Sequence, residues 1–289
     1  MWLHERQLRS GQSHQMHGVP SPRLPQTEIV LLSTEASVLS GADIQGLVLV
    51  LRGSCSVAGA EGRIELAARQ WMVCEADARV QVIGGERALA LVFGFSQAAL
   101  RALTPKGKRA LLPGQGRLDT ETLRFLVQAL RDAEAPSAHF WKREAIMRSL
   151  IRRVLTLQED LLRLLTVCPG KSPSQKSQVL TRLQRARLYL EANSDRNVRI
   201  ADLARLTNFS HWYFTKTFHR VYGQSPKTYA THMRLLRASR LLNSDQISVG
   251  EVAQACGFDT ASAFARAYRQ HFGASPSGMR QRLTEASVA

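Results

Sequence analysis

Two short stretches of the chain carry side chains whose types and spacing could recognise another molecule. In the first, His211, Trp212, Thr215, Lys216 and His219 lie at helical spacing opposite Phe214, Phe218 and Val221. They offer an indole plate, a hydroxyl and a cation, which suits a partner that displays acceptors and negative charge. In the second, Ala261, Ser262, Ala265 and Arg266 take the face opposite Phe264 and Tyr268. Arg266 dominates there, because a guanidinium is a planar fork that can meet two acceptors at once. Lys216 is a point charge without that fork and selects less sharply. Each group also has an ordinary structural use: Trp212 as packing, Lys216 as a solvated charge, Arg266 in an internal salt bridge.

Such faces work only if short helices hold them outward, and the chain around them repeats. Ile200-Ala-Asp-Leu-Ala204 aligns with Val249-Gly-Glu-Val-Ala253, and Asn208-Phe209 with Gly257-Phe258. After one extra residue, Phe214, Phe218, Tyr222, Gly223 and Ser225-Pro226 align with Phe264, Tyr268, Phe272, Gly273 and Ser275-Pro276. The offset is 49 before the turn and 50 after it. Asn208 and Gly257 stand where the chain must turn sharply, and both types tolerate a left-handed backbone. Aromatic residues four apart share a helix face. Gly223 and Gly273 end that helix, and Ser-Pro starts the next as N-cap and N1. Each copy therefore reads as helix, tight turn, helix. The second helices are expected over about 210–222 and 260–272. A connector helix over about 226–242, with Tyr229, Met233 and Leu236 as its apolar stripe, joins the copies. At ~1.5 Å per residue it is about 25 Å long, and a rigid connector of that length could hold the two copies about one DNA turn, ~34 Å, apart. A further helix over about 177–192 braces the first copy.

Charge agrees with a polyanionic partner. The net charge is +16, and from Lys171 onward 18 Lys and Arg face 7 Asp and Glu, against 21 and 16 before it. The C-terminal two-fifths thus holds most of the excess. Arg196, Arg199, Arg237, Arg240 and Arg269 are candidate phosphate neighbours or simply solvated charges.

The remainder divides by pattern. Residues 1–25 are polar, with Gly11, Gly18, Pro20, Pro22 and Pro25, and are expected to be a mobile tail. Residues 26–112 alternate like short strands, including a hairpin from Val80 to Phe93 around Gly84-Gly85, and predict a small β-barrel. Residues 113–167 turn helical. Met147, Leu150, Val154, Leu157, Leu161 and Leu164 form a seam on one helix over about 140–165, either a core face or a dimer interface. The Pro, Gly, Ser and Lys segment 168–177 reads as a linker, before the repeat-bearing region 178–284. Cys55, Cys74, Cys168 and Cys256 lack CxxC spacing, so no disulfide scaffold is expected and a reducing, cytoplasmic setting fits. The first residues lack the apolar segment of a signal peptide, and no run of about 18 apolar residues predicts a membrane span.

The C-terminal motifs resemble the DNA-binding domain of the AraC/XylS family. Its Gly-Phe, Ser-x-Phe-x-Arg-x-Phe/Tyr and Gly-x-Ser-Pro patterns are matched by Gly257-Phe258, by Ser262, Phe264, Arg266 and Tyr268, and by Gly273, Ser275 and Pro276. The connector pattern is matched by Tyr229, Arg234, Ala238, Leu241 and Leu242. The resemblance covers about residues 178–282. It implies an α+β protein with a cupin-like N-terminal barrel and following helices, then an all-α domain whose seven helices include two helix-turn-helix motifs. It implies a transcription regulator, with Trp212, Thr215, Lys216 and Arg266 facing double-stranded DNA. It also implies partners beyond DNA: a small-molecule effector, RNA polymerase if the protein activates, and a second copy. No cofactor is expected.

Other classes remain: a non-specific architectural DNA binder, a cupin-type enzyme, or a DNA-repair methyltransferase fused to such a domain. All eight histidines lie outside residues 18–138, which leaves the expected barrel none to hold a metal. Cys168 precedes Pro169-Gly170 and not the His-Arg expected after a repair nucleophile. Trp71, Met72 and Phe93 either line an effector pocket or fill the core. Cys55 and Cys74 are either redox sensors or inert buried thiols.

Overall fold

The computed structural model describes residues 2–16, 26–41, 43–74, 79–103, 111–134, 140–242 and 247–281. They form two compact units, Met1–Thr166 and Val167–Ala289.

The strands of the N-terminal unit are β1 (Trp2–Leu8), β2 (Ser13–Met16), β3 (Gln26–Ser33), β4 (Ser37–Ser40), β5 (Ile44–Arg52) and β6 (Ser54–Gly59). They continue as β7 (Gly62–Ala67), β8 (Gln70–Val73), β9 (Gln81–Gly84), β10 (Leu89–Ser96) and β11 (Gly114–Arg117). The helices are α1 (Gln97–Leu103), α2 (Thr120–Glu134), α3 (Phe140–Thr156) and α4 (Glu159–Arg163). One sheet runs β1-β3-β10-β5-β8-β11 and the other β2-β4-β9-β6-β7. The expected closed barrel is thus two separate sheets: among the described residues no strand of one pairs with a strand of the other.

The apolar run Leu47–Leu51 is buried throughout because β5 is covered on both faces. Leu47, Leu49 and Leu51 join Phe93 and Phe95 of β10 in a core with Leu126 and Ala129 of α2 and Leu150, Ile151 and Val154 of α3. Trp71 and Phe93 belong to the same core, and Met72 is buried. On the opposite face Met16 of the second sheet lies against Gly94.

Four expectations for this unit need correction. The tail forms β1 and β2, paired in parallel with β3 and β4, and buries Leu8 and Met16. Its polar composition hid two outer strands, for which one buried apolar anchor each, Leu8 and Met16, suffices once β3 and β4 supply the pairing. Their pairing also brings His14 against Glu28 of β3, so the sheets do contain a histidine. The segment Val80–Phe93 is no hairpin: β9 pairs with β4 and β6, whereas β10 pairs along its length with β3 and β5. Finally, β11 extends the sheet into the region expected to be helical, and the long helix breaks between Thr156 and Glu159. There Gln158 turns inward, donating to the Leu112 carbonyl and accepting from its N–H. Leu150 and Val154 are spent on the sheet, so that part of the seam is a core face; the Met147 side chain lies outside the described residues.

The C-terminal unit contains α5 (Pro173–Ala192), α6 (Ile200–Thr207), α7 (His211–Tyr222), α8 (Pro226–Leu241), α9 (Val249–Ala255) and α10 (Ala261–Phe272), and is helical again over 276–281. Helix α5 starts inside the expected linker: Ser172 caps it, Pro173 stands in its first turn, and Gln175 closes a capping box. This is the same Ser-Pro signal as at Ser225-Pro226. Along α8 the buried residues are Pro226, Tyr229, Leu235 and Ala238, followed by Leu242, while Leu236 is exposed. The single stripe is replaced because α8 serves two cores in turn. Tyr229 meets Phe218 with ring centroids 5.7 Å apart, and Leu235, Ala238 and Leu242 join Val252, Phe264 and Tyr268.

Helix α9 opens with a capping box of Ser248 and Glu251. The Ser248 backbone N–H, then its hydroxyl, hold the Glu251 carboxyl below its usual range. A depressed carboxyl stabilises the fold above its unfolded pKa and loses that contribution as pH falls through its folded pKa. Glu251→Ala is therefore expected to lower the melting temperature at neutral pH, with the deficit narrowing below about pH 4. A deficit independent of pH would assign Glu251 another role.

Candidate nucleic-acid interface

The two helix pairs are built alike. After α6 the chain reverses at Asn208, φ 52°, and after α9 at Gly257, φ 66°. The next amide closes each turn identically: Phe209 N–H donates to the Ala204 carbonyl and Phe258 N–H to that of Ala253, both at 3.0 Å. Ser210 then caps α7 through the Tyr213 N–H, and Thr260 caps α10 through the Ala263 N–H. Aromatic ladders anchor both inner faces. Phe214, Phe218 and Tyr222 have successive centroids 5.6 and 4.6 Å apart, and Phe264, Tyr268 and Phe272 5.5 and 4.6 Å.

With the inner faces spent, the outer faces are free. On α7 His211, Trp212, Lys216 and His219 are exposed, Trp212 at 67%, which excludes packing against the bundle. The Lys216 ammonium sits 4.6 Å from the Trp212 ring centroid, so the two form one cation–π unit. Thr215 is half-buried, and its hydroxyl is covered and has no hydrogen-bond partner. On α10 Ala261, Ser262 and Arg266 are exposed and Ala265 is half-buried. Among the described residues no carboxylate pairs with Arg266. An unpaired guanidinium on an exposed face stays available to an outside acceptor pair.

The other arginines differ. Arg196 donates to Tyr189 and Asn193, and Arg199 pairs with Asp202. Arg237 is half-buried, while Arg240 and Arg269 are exposed. Two cations that sequence reasoning passed over as site residues stand behind the turns. Arg182 of α5 lies 5.4 Å from the Phe209 ring centroid, and Arg234 of α8 lies 3.9 Å from that of Phe258. Extending the repeat backwards at an offset of 52 would have matched them.

Deeper in the unit, the Arg187 guanidinium donates to Glu191 and Tyr229, each at 2.9 Å, and the Tyr229 hydroxyl donates to Glu191. Burial, then Glu191, push the Tyr229 phenol upward. This cluster ties α5 to α8 beneath the first pair.

No described helix is long and apolar enough to cross a membrane. The described residues hold no group of three or more His, Cys, Asp and Glu that could bind a metal. All four cysteines are buried thiols outside any disulfide. Burial pushes the Cys55 thiol up to about 11 and the Cys74 thiol up to about 12, which leaves little thiolate at neutral pH. A thiol reagent such as DTNB is expected to modify both only as fast as the N-terminal unit opens. Rapid labelling of the native protein would restore them as sensor candidates.

The helix-turn-helix domain family matches residues 203–282, from within α6 to beyond α10. The HTH-type transcriptional regulator GbdR of Pseudomonas aeruginosa is 34% identical over 100 residues, which are 35% of this chain and 27% of that protein. The virulence regulon transcriptional activator VirF of Yersinia enterocolitica is 31% identical over 105 residues, 36% of this chain and 38% of that protein. The matched part therefore spans about a quarter to two-fifths of these relatives. A solved structure of a probable AraC family transcriptional regulator from Rhodopseudomonas palustris is 36% identical and covers 35% of this chain and 96% of that one, with a TM-score of 0.34. The helices that carry the repeat thus match the helix-turn-helix domain family, and in sequence they resemble the corresponding part of these transcriptional regulators.

Proposed function

We propose that this protein is a sequence-specific DNA-binding transcription regulator whose α7 and α10 enter successive major grooves. The observation that carries this is the duplicated outer face: two capped helices, fixed by one connector, present polar and cationic groups that no carboxylate pairs with among the described residues, while Phe214, Phe218, Phe264 and Tyr268 are consumed inside. The α7 face offers Trp212 and Lys216 with His211 beside them, and Thr215 contributes its exposed part. The α10 face rests on Arg266, with Ser262 for one hydrogen bond and Ala261 and Ala265 for apolar contact to a thymine methyl. Relatives that bear the name activator favour activation over repression. The N-terminal unit is proposed to modulate this activity in response to a small molecule.

Selection of bound fragments from genomic DNA by the purified full chain tests the function. The expected product is a bipartite motif whose halves lie about 10–10.5 base pairs apart. Fragments enriched without a shared motif would point to a non-specific architectural binder.

A further inference from the structure

The internal repeat reaches further than the two helix pairs. Helix α5 supports the first pair as α8 supports the second, and beside each turn lies a cleft lined by equivalent residues. In the first cleft these are Gln175, Gln178, Val179, Arg182 and Tyr213. In the second they are Lys227, Ala230, Thr231, Arg234 and Ala263, at offsets of 52 along the supporting helix and 50 on α10. The arginine that covers the turn phenylalanine is common to both.

Two exchanges make the clefts unlike. Tyr213 fills space that Ala263 leaves open, and the volumes are about 260 and 460 Å³. Gln175 is neutral where Lys227 is charged. The loop before α6 adds Arg199 to the second cleft, so three cations line it against one carboxylate, Asp259. Lys227 is exposed and pairs with no carboxylate among the described residues. Arg234 spends one face on Phe258, and its Nε is buried without a hydrogen-bond partner. Arg199 is tied to Asp202 at 3.3 Å, but this is an exposed pair that a stronger anion can displace.

Place in the fold narrows the anion. Arg199 belongs to the loop between the first and second helices of one three-helix group, and Lys227 to the first turn of the next group. In the homeodomain, a three-helix variant of this motif, that loop contacts the sugar–phosphate backbone. Asp259 and Ala263, which line the cleft, lie within one helical turn of Ala261 and Ser262 on the outer face. A strand that passes from one major groove to the next would cross this point.

We propose that the second cleft holds backbone phosphate of the DNA between the two half-sites, through Lys227 and Arg199, with the half-buried Arg234 behind them. This rests on the DNA-reading function proposed above and adds a contact that neither outer face supplies. The cleft reads no base. It fixes the spacing and register at which α7 and α10 can bind together.

The test uses the full chain, its selected duplex and a random duplex. Lys227→Gln copies the first cleft, and Arg199→Ala removes the second exposed cation; melting curves check that both variants fold. Each variant is expected to bind the selected duplex several-fold more weakly, with the slope of log affinity against log salt shallower by ~0.9. Preference for selected over random sequence should hold. Neutral methylphosphonates placed one at a time between the half-sites should weaken the wild type at one or two positions and leave Lys227→Gln unaffected there. A salt slope unchanged in both variants, or wild type and Lys227→Gln responding alike at every position, overturns the proposal. Inorganic phosphate perturbing cleft resonances while no methylphosphonate has an effect overturns it in favour of a small-anion site. A wild type that binds no duplex at any salt sinks the DNA-reading function as well, which distinguishes the two failures.

Discussion

Gly257→Ala is expected to destabilise the second helix pair by about 2–5 kcal/mol, while Gly273→Ala costs only about 1–2 kcal/mol. Both glycines have a left-handed backbone, with φ of 66° and 73°. An alanine pays a conformational cost of about 1–2 kcal/mol at either. They differ in what a Cβ would meet. At Gly273 nothing lies within 4 Å, whereas at Gly257 the new carbon would fall 2.5 Å from Arg196 Cα and 2.8 Å from its carbonyl carbon. Those atoms are backbone and cannot swing aside, so the turn or the loop that leads into α6 must shift. Gly257 thus keys the second turn onto the first helix pair. Thermal melts compare the two variants, and hydrogen exchange should show α9 and α10 amides losing protection in Gly257→Ala before those of α6 and α7. Equal melting temperatures for the two variants would mean that the close approach costs nothing.

Arg266→Ala is expected to weaken binding to the selected duplex by about 1–3 kcal/mol, roughly 5- to 150-fold, and to relax sequence preference at one base. The size follows from a bidentate guanidinium–guanine contact made by a side chain that no carboxylate pairs with among the described residues. Arg266→Lys separates fork from charge. It should recover part of the affinity, through phosphate attraction, and little of the preference. Lys216→Ala should move the other way, costing affinity at both selected and random duplexes and freeing the Trp212 ring. Competition binding with single-base variants of the selected site measures all three. An Arg266→Ala protein whose selected-to-random ratio equals that of the wild type would remove Arg266 from the reading face.

The C-terminal helices were legible because their determinants are local. Ser210, Ser225, Thr260 and the Ser248–Glu251 box act within one turn, Asn208 and Gly257 act at a single residue, and Phe214–Phe218 and Phe264–Tyr268 act over four. The same rule would have started α5 at Ser172-Pro173, had the Pro, Gly and Ser composition of that stretch not suggested a linker. The eight outer-face residues could be chosen for the same reason. Once the inner aromatics are assigned, helical period alone places His211, Trp212, Lys216, Ala261, Ser262 and Arg266 outside, and leaves Thr215 and Ala265 at the margin.

By itself, then, the sequence determined that two capped helix pairs follow one another and which side chains they turn outward, since capping, chirality and period need no distant partner. Only the tertiary structure decided what depends on residues far apart in the chain. Polar strands β1 and β2 gain their identity from β3 and β4, and β9 and β10 go to different sheets because each finds its partners elsewhere. Gln158 breaks a helix to reach Leu112, 46 residues away. The inequality of the two clefts is of this kind as well: Tyr213 and Ala263 are unremarkable in their helices. Only packing against α5 and α8 makes one cleft narrow and the other wide, with Lys227 and Arg199 at its edge.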